Sequence, residues 1–107
     1  MVVNRFEIFL VSLDPTIGSE IKKTRPCIII SPDEMNRYLN TTIIAPLTSK
    51  SKDYPTRINI TFQNKKGQIV LDQIRTIDKS RLIKKIGKVS KHVEDKICNV
   101  LTEMFSK

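Results

Sequence analysis

Six or seven strand-length apolar segments, joined by short polar turns, constrain this chain more than any other feature. Ile8–Leu13 (IFLVSL) is an apolar run that stops at Asp14-Pro15, a turn signal. Cys27–Ile30 is a continuous, largely β-branched run and reads as a fully buried strand. Thr41–Leu47 returns as a strand. Thr56–Phe62 alternates with period two, setting Arg57, Asn59 and Thr61 against Ile58, Ile60 and Phe62. Lys66-Gly67 reads as a turn into a long strand, Gln68–Ile77, and Ile83–Val89 as a last short one. Helical signals are few. Ser31-Pro32-Asp33-Glu34 supplies an N-cap, a proline at the first helical position and two acids, which predicts a short helix to about Tyr38. Asp78 can cap one turn over Lys79–Leu82. Val93, Ile97, Val100, Leu101, Met104 and Phe105 recur at helical spacing, so an amphipathic helix starts at Ser90 or His92 and packs those residues inward. This pattern predicts a mainly β fold: a small antiparallel barrel, closed or nearly so, forming one domain over residues 1–107. A chain of this length buries roughly 65% of its unfolded surface without metals or disulfides.

Charge bears on partners rather than on fold. Lys and Arg total 19 against 11 Asp and Glu, a net +8, which favours nucleic acid as a ligand through counterion release. Seven basic residues lie between Arg75 and Lys91 (Arg75, Lys79, Arg81, Lys84, Lys85, Lys88 and Lys91) against the single acid Asp78. Such a run also describes a solvated face. Cys27 lies in an apolar run and Cys98 in a helical pattern, with no CxxC and no histidine at ligand spacing. Both read as small buried residues of a reducing compartment, and no metal site is expected. No apolar stretch approaches the roughly 20 residues of a membrane span. The start, Met-Val-Val-Asn-Arg, lacks the pattern of a signal peptide, so a cytoplasmic location without membrane contact is expected.

Residues 13–26 carry the densest candidate chemistry. This polar loop holds Gly18, Ser19, Glu20, Lys22 and Lys23 and delivers Arg25 to the head of the second strand. Thr48 and Ser49 end a strand after Pro46-Leu47, and Asp72-Gln73 sit in another. Brought to one rim, these pieces would give a guanidinium, several hydroxyls and one or two carboxylates. A guanidinium grips phosphate bidentately and stays charged at every working pH. Donors aimed at a phosphodiester transition state stabilise the charge that develops there, and in RNA the 2′-hydroxyl can be the nucleophile. Taken singly, each piece has a plainer reading. Arg25 could be an ion-pair partner, Thr48-Ser49 a turn, Asp72 a partner of Arg75, and His92 a surface or capping residue.

The order of these pieces resembles the MazF/PemK family of toxin endoribonucleases. FLVSLDPTIGSE (Phe9–Glu20), TRPCIIISPDEMNR (Thr24–Arg37), IIAPLTS (Ile43–Ser49), Tyr54-Pro55 and GQIVLDQIRTID (Gly67–Asp78) carry the resemblance, which spans about residues 6–105. It implies an SH3-like barrel with short helices, assembled as a homodimer. The implied activity is metal-independent, sequence-selective cleavage of single-stranded RNA to 2′,3′-cyclic phosphate and 5′-hydroxyl ends, with no cofactor. It further implies silencing by a cognate antitoxin whose acidic tail occupies the RNA groove, a partner that suits a +8 chain. By matched motif, Arg25 and Thr48 are the catalytic pair, and Ser19, Glu20 and Gln73 fall at substrate-loop and groove positions. Lys22, Lys23, Ser49 and Asp72 are further substrate-binding candidates, and Glu20 is the candidate general base. The chain departs from many members with Phe6-Glu7 at the first strand, Ser19 where some carry histidine, and Val70 where some carry arginine. Roles ascribed to those groups do not transfer. Two rivals stay open: a toxin of the same barrel type that poisons a topoisomerase, and a non-catalytic RNA-binding barrel.

Overall fold

The computed structural model describes residues 1–107. In chain order the elements are β1 (Glu7–Ser12), β2 (Thr24–Ile29), α1 (Asp33–Tyr38), β3 (Thr41–Thr48), β4 (Arg57–Phe62), β5 (Lys65–Val70), β6 (Arg75–Asp78), β7 (Leu82–Lys88) and α2 (Lys91–Phe105). The strands form one curled antiparallel sheet in the order β4-β5-β3-β2-β1-β7, with β6 also paired to β3. This is the predicted barrel, short of closure. The outer strands β4 and β7 are not hydrogen-bonded to each other. Instead Phe62 of β4 lies so close to Gly87 of β7 that a Cβ there would sit 2.7 Å from the ring.

Both faces of the central strands are covered, which is why β1 to β3 read as continuous apolar runs rather than alternating ones. Phe9, Val11, Cys27, Ile29 and Ile44 point into one core with Ile77 and Leu82. Ile8, Ile28, Ala45 and Leu47 point into a second, closed by Ile58, Ile69 and Ile97 of α2. Ser90 caps α2, its hydroxyl accepting from the Val93 amide at 3.3 Å. Met104 packs against the second core as expected. Phe105 does not: it is 71% exposed, because its position on the last turn falls off the buried stripe.

Three local expectations are corrected. First, the β4–β5 turn is Gln63-Asn64, both at positive φ (51° and 62°), not Lys66-Gly67, which lies inside β5. Second, the long strand Gln68–Ile77 is broken by a 3₁₀ turn over Leu71–Gln73, so Asp72 and Gln73 are turn residues. Third, α1 starts at Asp33, and Ser31 is not its cap. The Ser31 hydroxyl is drawn into a buried cluster, donating to Asn36 Oδ1 (2.6 Å), lying 2.9 Å from the Thr42 hydroxyl and accepting from the Ile43 amide (3.0 Å). A buried hydroxyl left unpaired is costly, so packing position outranks the capping preference. The Asp78 turn is as predicted, its carboxylate accepting from the Ser80 amide at 2.8 Å.

Candidate functional site

The ends of β2 and β3 meet through their register. Cys27 pairs with Pro46, and two positions further along the paired strands come Arg25 and Thr48. Both line an open cleft of about 240 Å³ together with Ser49, Gln63, Lys65 and Lys66. No carboxylate lines it. The Arg25 Nε donates to the Lys22 carbonyl at 3.1 Å, which fixes the side chain and leaves the rest of its fork free. Gly67 of β5 makes this rim possible: a Cβ there would sit 2.6 Å from the Thr48 carbonyl oxygen, so only glycine lets β5 pass this close.

The remaining candidates gather elsewhere. Ser19, Glu20, Asp72 and Gln73 line a second cleft, of about 410 Å³, which shares no residue with the first. Their polar groups are largely engaged within the protein. Glu20 Oε1 accepts from the Ile17 amide at 2.6 Å, and Gln73 Oε1 accepts from the Ile21 amide at 2.8 Å, tying the β1–β2 loop to the 3₁₀ turn. Asp72 takes both nitrogens of the Arg57 fork (2.9 and 3.1 Å) and the Thr56 hydroxyl (2.9 Å), rather than pairing with Arg75. These bonds hold the Asp72 carboxyl below its ordinary value, the Arg57 hydrogen bond contributing most. Lys22 and Lys23 are exposed on the loop. Lys23 is held at φ 71° by Asp14 Oδ1, which accepts from its amide at 3.0 Å, and by its own carbonyl, which accepts from the Leu13 amide. Thus the structure unites Arg25, Thr48 and Ser49, and it separates Glu20, Ser19, Asp72 and Gln73 from them.

The basic run from Arg75 to Lys91 is not one patch. Arg75 donates to the Leu13 carbonyl (3.2 Å), and Arg81 to the carbonyls of Ser12 (3.1 Å) and Asp14 (2.6 Å), so both staple the β1–β2 loop. Lys79 donates to the Asn36 carbonyl. Lys85 pairs with Glu7 and Lys91 with Asp95. By contrast, none of the molecule's three ion pairs involves Arg25, Lys65 or Lys66. Sequence reasoning passed over those two lysines; their place in the β4–β5 hairpin was hidden by the misplaced turn. Behind the rim, burial pushes the Cys27 thiol up to about 12, against the downward pull of Arg75 and Arg25.

Fold and cleft together define a small basic barrel protein of SH3-like type, with an arginine and a threonine in one cleft that no carboxylate lines. Residues 4–105 match the family described as PemK-like, MazF-like toxin of type II toxin–antitoxin system. The chain belongs to that family. It is 35% identical over 107 residues to Endoribonuclease EndoA of Bacillus subtilis (strain 168), covering 94% of this chain and 92% of that protein. In fold it is similar to MazF (Form-I) from Deinococcus radiodurans, with a TM-score of 0.85 at 22% identity over 97% of this chain and 96% of that one. It is likewise similar to a mycobacterial endoribonuclease solved in complex with its cognate antitoxin, with a TM-score of 0.80 at 22% identity over 94% of this chain and 92% of that one.

Proposed function

We propose that this protein is a toxin endoribonuclease that cleaves single-stranded RNA at the Arg25–Thr48 cleft. One observation carries this reading: the neighbouring ends of β2 and β3, just past their paired residues, bring an arginine without an acidic partner and a threonine hydroxyl into one carboxylate-free cleft. Family membership and the EndoA relative support it.

The chemistry follows from those groups. The RNA 2′-hydroxyl gives up its proton to a base as its oxygen attacks the adjacent phosphorus, the bond from phosphorus to the 5′-oxygen breaks, that oxygen takes up a proton, and a 2′,3′-cyclic phosphate and a 5′-hydroxyl result. Negative charge builds on the non-bridging oxygens. The free part of the Arg25 fork and the Thr48 hydroxyl bind those oxygens more tightly as the charge grows, which is where catalytic stabilisation arises. Arg25 can also protonate the leaving 5′-oxygen, and the internal nucleophile makes a metal-bound water unnecessary. Glu20, Ser19 and Gln73 shape the β1–β2 loop beside this cleft. Glu20 is the candidate base that takes the 2′ proton, and it can serve only if RNA displaces its bond to the Ile17 amide. Lys22, Lys23, Ser49, Lys65 and Lys66 contribute phosphate contacts and the salt dependence of binding. The protein acts in the cytoplasm as a homodimer, and an acidic antitoxin segment silences it by covering the same basic surface. No helix is long and apolar enough to cross a membrane.

Purified protein incubated with mixed RNA in excess EDTA, followed by sequencing of new 5′ ends, tests this. Discrete cuts at a short recurring motif are expected. Arg25→Ala abolishes them, and Thr48→Ala reduces them at least about 10²-fold, as for a lost transition-state donor. Intact RNA, or Arg25→Ala cutting like the parent, overturns the reading.

A further inference from the structure

Next to the Arg25–Thr48 cleft lies an open cavity of about 500 Å³, lined by Ser49, Ser51, Asn59, Thr61, Lys66 and Gln68. Ser49, Ile60, Lys66 and Gly67 line both, so whatever occupies this cavity neighbours the group bound by Arg25. We propose that it is a nucleobase subsite beside the cleaved phosphate and that Asn59 makes it select a keto base, guanine or uracil. The proposal deepens the endoribonuclease reading and rests on it.

Two side-chain amides, those of Gln68 and Asn59, have their orientations fixed by their partners. Gln68 is only 4% exposed, and its side chain is fully committed. Its Oε1 accepts from the Lys52 amide at 3.0 Å, and its Nε2 donates to the Lys52 carbonyl at 2.9 Å. A backbone N–H cannot accept, so Lys52 fixes the Gln68 orientation. The same Nε2 donates to Asn59 Oδ1 at 2.8 Å, which fixes Asn59 in turn. Asn59 is exposed, its oxygen is occupied, and its Nδ2 makes no hydrogen bond within the protein. Its unpartnered group is therefore an N–H donor, while its oxygen is turned toward Gln68 and keeps one lone pair.

This differs from a free asparagine. Bidentate recognition of adenine needs the asparagine amide free to lay both its oxygen and its nitrogen along the base edge, and here the oxygen is held toward Gln68. The rest of the lining points the same way, with the Lys66 ammonium and three hydroxyls but no carboxylate. Amino groups of adenine or cytosine find only neutral acceptors there, the hydroxyls and one lone pair of Asn59. The carbonyl oxygens of guanine or uracil find several donors. Single-stranded RNA can turn such an edge into the cavity, because its bases are unpaired.

The test maps cleavage preference on a randomised single-stranded RNA for the wild type, Asn59→Ala and Asn59→Asp, with thermal melts showing that each is folded. The wild type is expected to favour guanine or uracil at one position next to the cut. Asn59→Ala should flatten that preference about 5- to 10-fold, as for one hydrogen bond to a base edge, and leave other positions alone. Asn59→Asp keeps an oxygen toward Gln68, turns an acceptor to the cavity, and should shift the preference toward adenine or cytosine. Wild-type preference retained in both folded variants, or equal loss at every sequence, overturns the subsite while leaving the endoribonuclease standing. Wild-type protein that leaves RNA uncut overturns both.

Discussion

Two polar clusters, the rim of Arg25 and Thr48 and the turn of Asp72 and Gln73, look alike in the sequence and differ in what the fold leaves unpaired. At the turn, Asp72 is bound by Arg57 and Thr56, and Gln73 by the Ile21 amide. At the rim, Arg25 makes one bond to a carbonyl, and no acid reaches it or its lysine neighbours. The difference teaches that a candidate site is recognised by its unpaired donors rather than by its residue types. The turn gives order; the rim leaves its donors unpaired.

The sharpest way to break this comparison is Arg25→Lys. It keeps the charge and loses the fork, and cleavage should fall at least about 10²-fold. Parental activity would mean that charge alone suffices. Gly67→Ala comes next. The added methyl collides with the Thr48 carbonyl, so we expect about a 10-fold loss of cleavage and about 1–3 kcal/mol of stability, read from RNA cutting and urea unfolding. Changes at the turn should be smaller and fall on stability. Asp72→Asn should lose about 0.5–1 kcal/mol at neutral pH, since the pair is partly exposed, while cleavage stays within about 3-fold. Because the folded Asp72 carboxyl lies below its ordinary value of 3.8, its stabilisation is present above that value and fades as pH falls through the folded one. The wild type should therefore lose melting temperature more steeply than Asp72→Asn in acid. The smallest effect concerns Cys27. With its thiol raised from 9.0 to about 12, it should resist iodoacetamide at pH 8 while the half-buried Cys98 is modified. The associated stability holds below 9.0 and fades as pH rises toward 12.

The central strands were legible because burial on both faces leaves long apolar runs, and α2 because its cap and stripe agree. The hairpin was misplaced for a physical reason. Gln63 and Asn64 take the left-handed turn, and Gly67 serves a close approach to Thr48 that only the paired strand reveals. The break after Val70 carries no glycine or proline, and Leu71 is buried, so the run kept its strand-like look. Arg25 and Thr48 could each be suspected from sequence, but their meeting depends on the β2–β3 register. That Glu20 and Gln73 serve the loop depends on hydrogen bonds to the Ile17 and Ile21 amides, for which a sequence has no mark.

One consequence of the unclosed sheet concerns crowding rather than RNA. Strand β7 ends the hydrogen-bonded order, and such an edge is a template on which another chain can add a strand. Lys84, Lys85 and Lys88 stand along it, exposed, and Phe62 covers it at Gly87. A second β7 approaching this edge would set ammonium against ammonium, so part of the positive charge protects the protein against fibrous self-association when it accumulates.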